Sequence, residues 1–116
     1  MRKGQYQTGL SGEELAEKYL IEKGMVPLCR RYRFGRGEID LIMMDGDMLV
    51  MVEVKYRPTA APGEGLKAIT PDKQKRMAQA AMGYIAEHHL WNRQVRFDAL
   101  EITSGGICHI PNAFTL

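Results

Sequence analysis

Two apolar runs, Ile39 to Met44 and Met48 to Val54, are separated by Asp45-Gly46-Asp47. An Asp-Gly step between such runs is the strongest short-range hairpin signal, so two antiparallel strands are expected here. The second run stays almost continuously apolar until Glu53 and Lys55, the pattern of a strand covered on both faces. Charge therefore stands at the edge of a core. A two-residue loop, Asp45-Gly46 or Gly46-Asp47, makes opposed residue numbers sum to an odd total, which sets Asp40 opposite Met51 or Glu53. Asp40, Glu53 and Lys55 then share one face, the two carboxylates about 5 to 8 Å apart at Cβ. A three-residue loop or a bulge reverses that parity.

Upstream, Ser11-Gly12-Glu13-Glu14 has the Ser-x-x-Glu form of a capping box and predicts a helix to about residue 23, ended by Gly24. Glu13 lies on the stripe of Ala16 and Leu20, which must face the sheet; it reads equally as a solvated first-turn acid. Residues 27–34 alternate as an edge strand, Leu28, Arg30 and Tyr32 against Cys29, Arg31 and Arg33. Downstream, Pro58, Pro62, Gly63 and Gly65 mark residues 56–70 as a long mobile loop. Thr70-Pro71 then opens a helix whose stripe is Met77, Ala80, Ala81, Tyr84 and Ile85. Residues 95–102 read as a strand, and Gly105-Gly106 turns the chain into a short one at 107–110. The order αβββαββ implies an α/β sandwich, a central mixed sheet flanked by helices.

The 116 residues are expected to form a single domain, 1–116, with a flexible tail over 1–8. A formal net charge of +2 argues neither for nor against a nucleic-acid partner, because local clustering matters more than the total. Two cysteines, Cys29 and Cys108, form neither a disulfide framework nor a zinc site. No long apolar stretch or signal-like start is present, so a cytoplasmic protein without a membrane partner is expected. His88, His89 and His109 lack metal-ligand spacing and are expected at the surface, and Asp98 is expected to be a hydrogen-bonded structural acid.

An acid on one strand followed by Glu-x-Lys at the end of the next suits metal-assisted phosphodiester hydrolysis. Asp40, Glu53 and the backbone carbonyl of Val54 are hard oxygen ligands for Mg2+, with Mn2+ as a substitute. Lys55 can orient water or offset charge on the developing phosphorane, and Glu13 can hold a second ion or a metal-bound water. Lys73 lies on the inward stripe of the later helix, in a first turn where the dipole disfavours a cation. The alternative is an ion-pair network of Asp40, Glu53 and Lys55 at a sheet end, and both readings stand on the residues alone. Arg30, Arg31, Arg33 and Arg36, interleaved with Tyr32 and Phe34, suit phosphate contacts, as do Lys75 and Arg76. A charged edge strand that serves solubility fits the arginines as well.

Gly37-Glu38-Ile39-Asp40-Leu41-Ile42 and Val52-Glu53-Val54-Lys55-Tyr56-Arg57 are preceded by Gly12-Glu13-Glu14-Leu15-Ala16 and trailed by Arg96-Phe97-Asp98 and Asn112-Ala113-Phe114. This set resembles the YraN family of predicted endonucleases over nearly the full chain. That family is similar to the archaeal Holliday junction resolvases within the PD-(D/E)xK superfamily. The resemblance implies a restriction-endonuclease-like fold and a Mg2+-dependent DNA endonuclease, with branched DNA as a substrate and a homodimer as the assembly. It implies site roles for Asp40, Glu53, Lys55, Glu13 and Lys73, and Arg57 joins the set expected to face nucleic acid. Ile39 stands where the superfamily's proline would be. A rival reading is a non-catalytic nucleic-acid-binding protein that keeps the fold.

Overall fold

The computed structural model describes residues 11–59 and 69–115. The expected tail over 1–8, and residues 60–68 of the expected loop, lie outside the described residues. The elements are α1 (Gly12–Glu22), β1 (Val26–Phe34), β2 (Gly37–Asp45), β3 (Met48–Arg57), α2 (Pro71–His88), β4 (Gln94–Thr103) and β5 (Gly106–Phe114), the expected αβββαββ order. The five strands lie in the order β1-β2-β3-β4-β5, with β3 and β4 parallel and the other neighbours antiparallel. A mixed sheet of this kind arises because α2 carries the chain back so that β4 runs alongside β3 in the same direction.

Each helix covers one face. Ala16 and Leu20 of α1 pack with Leu41, Met43, Val50, Val52, Leu100 and Ile102. On the other face Met77, Ala80, Ala81, Tyr84 and Ile85 of α2 pack with Ile39, Ile42, Met51, Phe97 and Ala99. The central strand β3 supplies residues to both clusters, which is why its sequence is apolar at nearly every position. Both helix starts are capped as the sequence predicts. Ser11 Oγ accepts from the Glu14 amide at 3.1 Å while Glu14 Oε1 accepts from the Ser11 amide at 2.8 Å. Thr70 Oγ1 accepts from the Lys73 amide at 3.1 Å, with Pro71 at the first helical position.

The hairpin closes with a two-residue loop, Gly46-Asp47, because Asp45 pairs with Met48. Gly46 takes φ 62°, a left-handed conformation in which glycine carries no Cβ penalty. The paired register runs back to Leu41↔Val52, and continuing it by one residue sets Asp40 opposite Glu53.

Three expectations change. First, β3 continues through Tyr56 to Arg57, into the segment expected to be loop. Second, β5 is a nine-residue strand turned at Ser104-Gly105, since Thr103 pairs with Gly106. A register shift between Phe97 and Ala99 accommodates Pro111, which cannot donate to a regular ladder. Third, the alternation of β1 fails. Arg31 adopts φ 52°, and Cys29 and Tyr32, three apart, both pack against the α2 cluster. A left-handed residue inside a strand rotates the chain and resets which side chains face the core.

Candidate active site

Asp40 and Glu53 meet where the paired ladder of β2 and β3 ends. Past Leu41 the Asp40 carboxylate takes over as acceptor, receiving the Val54 amide at 2.8 Å. Glu53 is 7% exposed, rare for a carboxylate unless it is paired or liganded. Two lysines approach it: Lys55 Nζ lies 3.8 Å from Oε2, and Lys73 Nζ, from the first turn of α2, lies 3.4 Å from Oε1. The Lys73 contact is within ion-pair range without hydrogen-bond alignment, so Oε1 is buried with no hydrogen-bond donor among the described residues. Lys73 is on the inward stripe, as its spacing from Met77 requires, and Glu53 offsets the dipole's penalty on a first-turn cation.

Burial, and then the neighbouring Glu53 charge, push the Asp40 carboxyl up to about 7; the Val54 amide and the Lys73 charge pull the other way. An unfolded aspartate releases its proton near 3.8, so the folded chain holds a proton that the unfolded chain has lost. Stability in the absence of metal therefore falls as pH rises from about 4 to about 7, and the full penalty is present above that window. Thermal melts in chelator from about pH 5 to about pH 8 are expected to show this fall, and Asp40→Asn to flatten it. Parallel wild-type and variant profiles would remove Asp40 as its source.

Glu13 does not join the two carboxylates. It is on α1, which covers the opposite face, and it bonds Arg31 Nε at 2.6 Å. Arg31 also feels the Asp40 charge, so Glu13 reaches that neighbourhood only through an arginine. Among the described residues no group of three His, Cys, Asp or Glu side chains gathers to hold a metal ion.

The arginine strand is altered more. Arg30 pairs with Glu17 and more loosely with Glu14, Arg31 with Glu13, and Arg33 with Glu38 at 3.3 Å. No acid lies among these arginines in sequence, but α1 and β2 bring acids to them, so this edge is a set of surface ion pairs instead of an open basic stripe. Arg36, Lys75 and Arg76 do come together, lining a cleft with Asp72 and Gln79. Arg57 is exposed at the end of β3.

Two features were not foreseen. Glu101 on β4 is buried and is the register neighbour of Lys55; an acid inside the apolar run 99–102 was its signal. His109, expected at the surface, has a side chain only 10% exposed, with Nε2 2.7 Å from Asp98 Oδ2. Asp98 itself is fully buried and bonded, as a structural acid should be.

A five-stranded mixed sheet between two helices, with the β2 acid facing the Glu-x-Lys of β3, defines an α/β domain of restriction-endonuclease-like fold. The sequence matches the family described as Uncharacterised protein family UPF0102 over residues 12–102. The chain belongs to that family, the YraN family whose motifs it carries. A UPF0102 protein of Saccharophagus degradans is 43% identical over 111 residues, covering 95% of this chain and 94% of that one. One of Chlorobium phaeobacteroides is 40% identical over 119 residues, covering 94% of each chain, and one of Geobacter sulfurreducens is 38% identical over 113, covering 93% and 88%. Those names state no activity, so the chemistry rests on the side chains. No helix among the described residues is long and apolar enough to cross a membrane.

Proposed function

We propose that the protein is a metal-dependent DNA endonuclease whose site is Asp40, Glu53, Lys55 and Lys73. The observation that carries this reading is the facing pair of half-buried and buried carboxylates with two lysine ammonium groups at 3.4 and 3.8 Å from one of them. The residues fit a hard divalent cation. The Asp40 carboxyl is driven up by burial and by the adjacent Glu53 charge, and Glu53 Oε1 is buried without a hydrogen-bond donor among the described residues; a cation offsets the carboxylate repulsion and gives Oε1 a partner. Asp40, Glu53 and the Val54 carbonyl would hold Mg2+ or Mn2+, which when bound polarises a phosphoryl oxygen and acidifies a water. Lys73 and Lys55 set positive charge beside the position where phosphate oxygens gain negative charge. In hydrolysis a water oxygen bonds to phosphorus, one P–O ester bond breaks, and the departing oxygen takes a proton. Branched DNA as substrate, a homodimer as the working form, and a cytoplasmic setting that keeps Cys29 and Cys108 as free thiols complete the reading.

The test is cleavage of a panel of duplex, flap, single-stranded and four-way DNA with Mg2+ and with Mn2+, alongside thermal melts during metal titration. Metal-dependent cutting that Lys55→Ala reduces is the expected result. A protein that binds DNA, shows no metal-dependent rise in thermal midpoint and never cuts would instead be the non-catalytic binding module.

A further inference from the structure

The cleft between the β1–β2 turn and the first half of α2 has no part in the chemistry above. It holds about 620 Å³ and is lined by Arg36, Asp72, Lys75, Arg76 and Gln79. Close backbone packing builds it. A Cβ on Gly37 would stand 2.4 Å from the Arg76 carbonyl oxygen and 2.7 Å from the Ala80 amide nitrogen, so only glycine lets β2 start directly against the helix. One turn further along, the Phe34 ring lies on Gly83, within 2.3 Å of where a Cβ would be. The turn is thereby fixed to α2, and Arg36 is held beside Lys75 and Arg76.

That convergence is electrostatically unfavourable by itself. Among the described residues three cations share one opening with a single lining acid, Asp72, which pairs with Arg76 at 3.1 Å and is 80% exposed at its side chain. Among the described residues Arg36 and Lys75 have no ion-pair partner, whereas Arg30, Arg31 and Arg33 all do. Lys75 and Arg76 also lie in the first two turns of α2, where the dipole already carries positive character. A surface needing charge only for solubility has no reason to gather cations against a helix start, whereas an anion site does.

We infer that this cleft, formed by Arg36, Lys75, Arg76 and Gln79, grips a backbone phosphate of the DNA strand. The proposal rests on the nucleic-acid substrate of the proposed function but not on cleavage. Two guanidinium forks, an ammonium and an amide suit phosphate oxygens. Among the described residues the lining has no aromatic or aliphatic side chain on which a base could stack, so the contact reads the backbone and carries no sequence information. Arg76 follows Lys73 by three residues, about 4.5 Å along the axis, so the cleft opens close to the lysine that approaches Glu53.

Binding of a labelled duplex of about 20 base pairs, followed by fluorescence anisotropy in chelator between about 50 and 200 mM salt, tests this. Arg36→Ala and Lys75→Ala are each expected to weaken binding several-fold and to lower the salt slope by about 1; Lys75→Arg keeps the slope, and Arg30→Ala barely changes it. All these side chains are exposed, so thermal midpoints should stay near wild type. Unchanged affinity in the Arg36→Ala/Lys75→Ala double variant overturns the inference, as does a wild-type protein that binds no duplex. If inorganic phosphate stabilises the wild type and not the double variant while duplex affinity is equal, the cleft takes a small anion and the inference is again wrong. A duplex bound through the cleft but never cut leaves the inference standing and removes the nuclease; a duplex cut and bound normally by the double variant does the reverse.

Discussion

Asp40→Asn is expected to reduce metal-dependent cleavage by about a thousandfold or more while raising the metal-free thermal midpoint at about pH 8, and Glu53→Gln to reduce cleavage as much while lowering that midpoint. The activity losses are alike because each substitution removes a hard oxygen ligand from a site with two carboxylates. A metal's stabilisation of transition-state charge is worth several kcal/mol, and about 1.4 kcal/mol is tenfold in rate. The stability changes differ in sign because the carboxylates have different neighbours. Asp40 is held against ionisation by burial and by Glu53, so above about pH 7 its charge is a cost. Asparagine keeps an oxygen to accept the Val54 amide at the price of no charge, a gain on the order of 2 kcal/mol. Glu53 is the partner of Lys55 and Lys73, and glutamine leaves two partly buried cations facing Asp40 alone. Melts in chelator and in Mg2+, paired with cleavage assays, separate the cases. A pure ion-pair network would show the same stability signs with no cleavage in the wild type and no metal response. Cleavage that survives Asp40→Asn would mean that another protein in the preparation does the cutting.

The part of this site that is legible in sequence is local. Asp45-Gly46-Asp47 signals a two-residue loop, such a loop puts Asp40 opposite Met51 or Glu53, and the Gly46-Asp47 turn selects Glu53, each carboxylate standing six positions from the nearer turn residue. Lys73 follows from helical spacing to Met77. What could not be read depends on elements far apart in the chain. Arg31 takes a left-handed conformation more usual for glycine or asparagine, and nothing in its neighbours announces it. Its pairing with Glu13, and that of Arg30 with Glu17, require α1 to lie across β1, which only the packing of Ala16 and Leu20 decides. The cleft cations were visible as residues, but their meeting depends on Gly37 lying against the α2 backbone. For β5, the strand expected to end at Ile110 runs on through Pro111 to Phe114, where a buried carboxylate on the neighbouring strand takes the Asn112 amide.

That carboxylate is Asp98, and Asp98→Ala is expected to destabilise the fold by about 3 to 5 kcal/mol, the cost of breaking a buried charge pair from one side. Asp98 Oδ1 and Oδ2 accept from Arg96 Nε at 2.8 Å and Nη2 at 3.0 Å, Oδ2 lies 2.7 Å from His109 Nε2, and Oδ1 accepts the Asn112 amide at 2.9 Å. Burial alone would push the group up, but the bonds from His109, Arg96 and the Asn112 amide outweigh it and hold Asp98 below the usual carboxylate range. Its folded value being depressed, the contribution is present above the unfolded value and is lost as pH falls toward the folded one. The geometry says where the loss is felt. β4 and β5 shift register between Phe97 and Ala99, and Asn112 takes φ 55°, so the ladder has a gap that the Asp98 carboxylate spans. Alanine removes the acceptor from Arg96, His109 and the Asn112 amide together. Urea unfolding is expected to give the energy, and hydrogen exchange to show β5 (Gly106–Phe114) opening well before the β2–β3 hairpin. Asp98→Asn, which keeps an acceptor but not the charge, should lie between. An alanine variant within about 1 kcal/mol of wild type, or with exchange unchanged in β5, would show that Phe114 stacking on Phe97 at 4.7 Å and the rest of the ladder hold the strand without it.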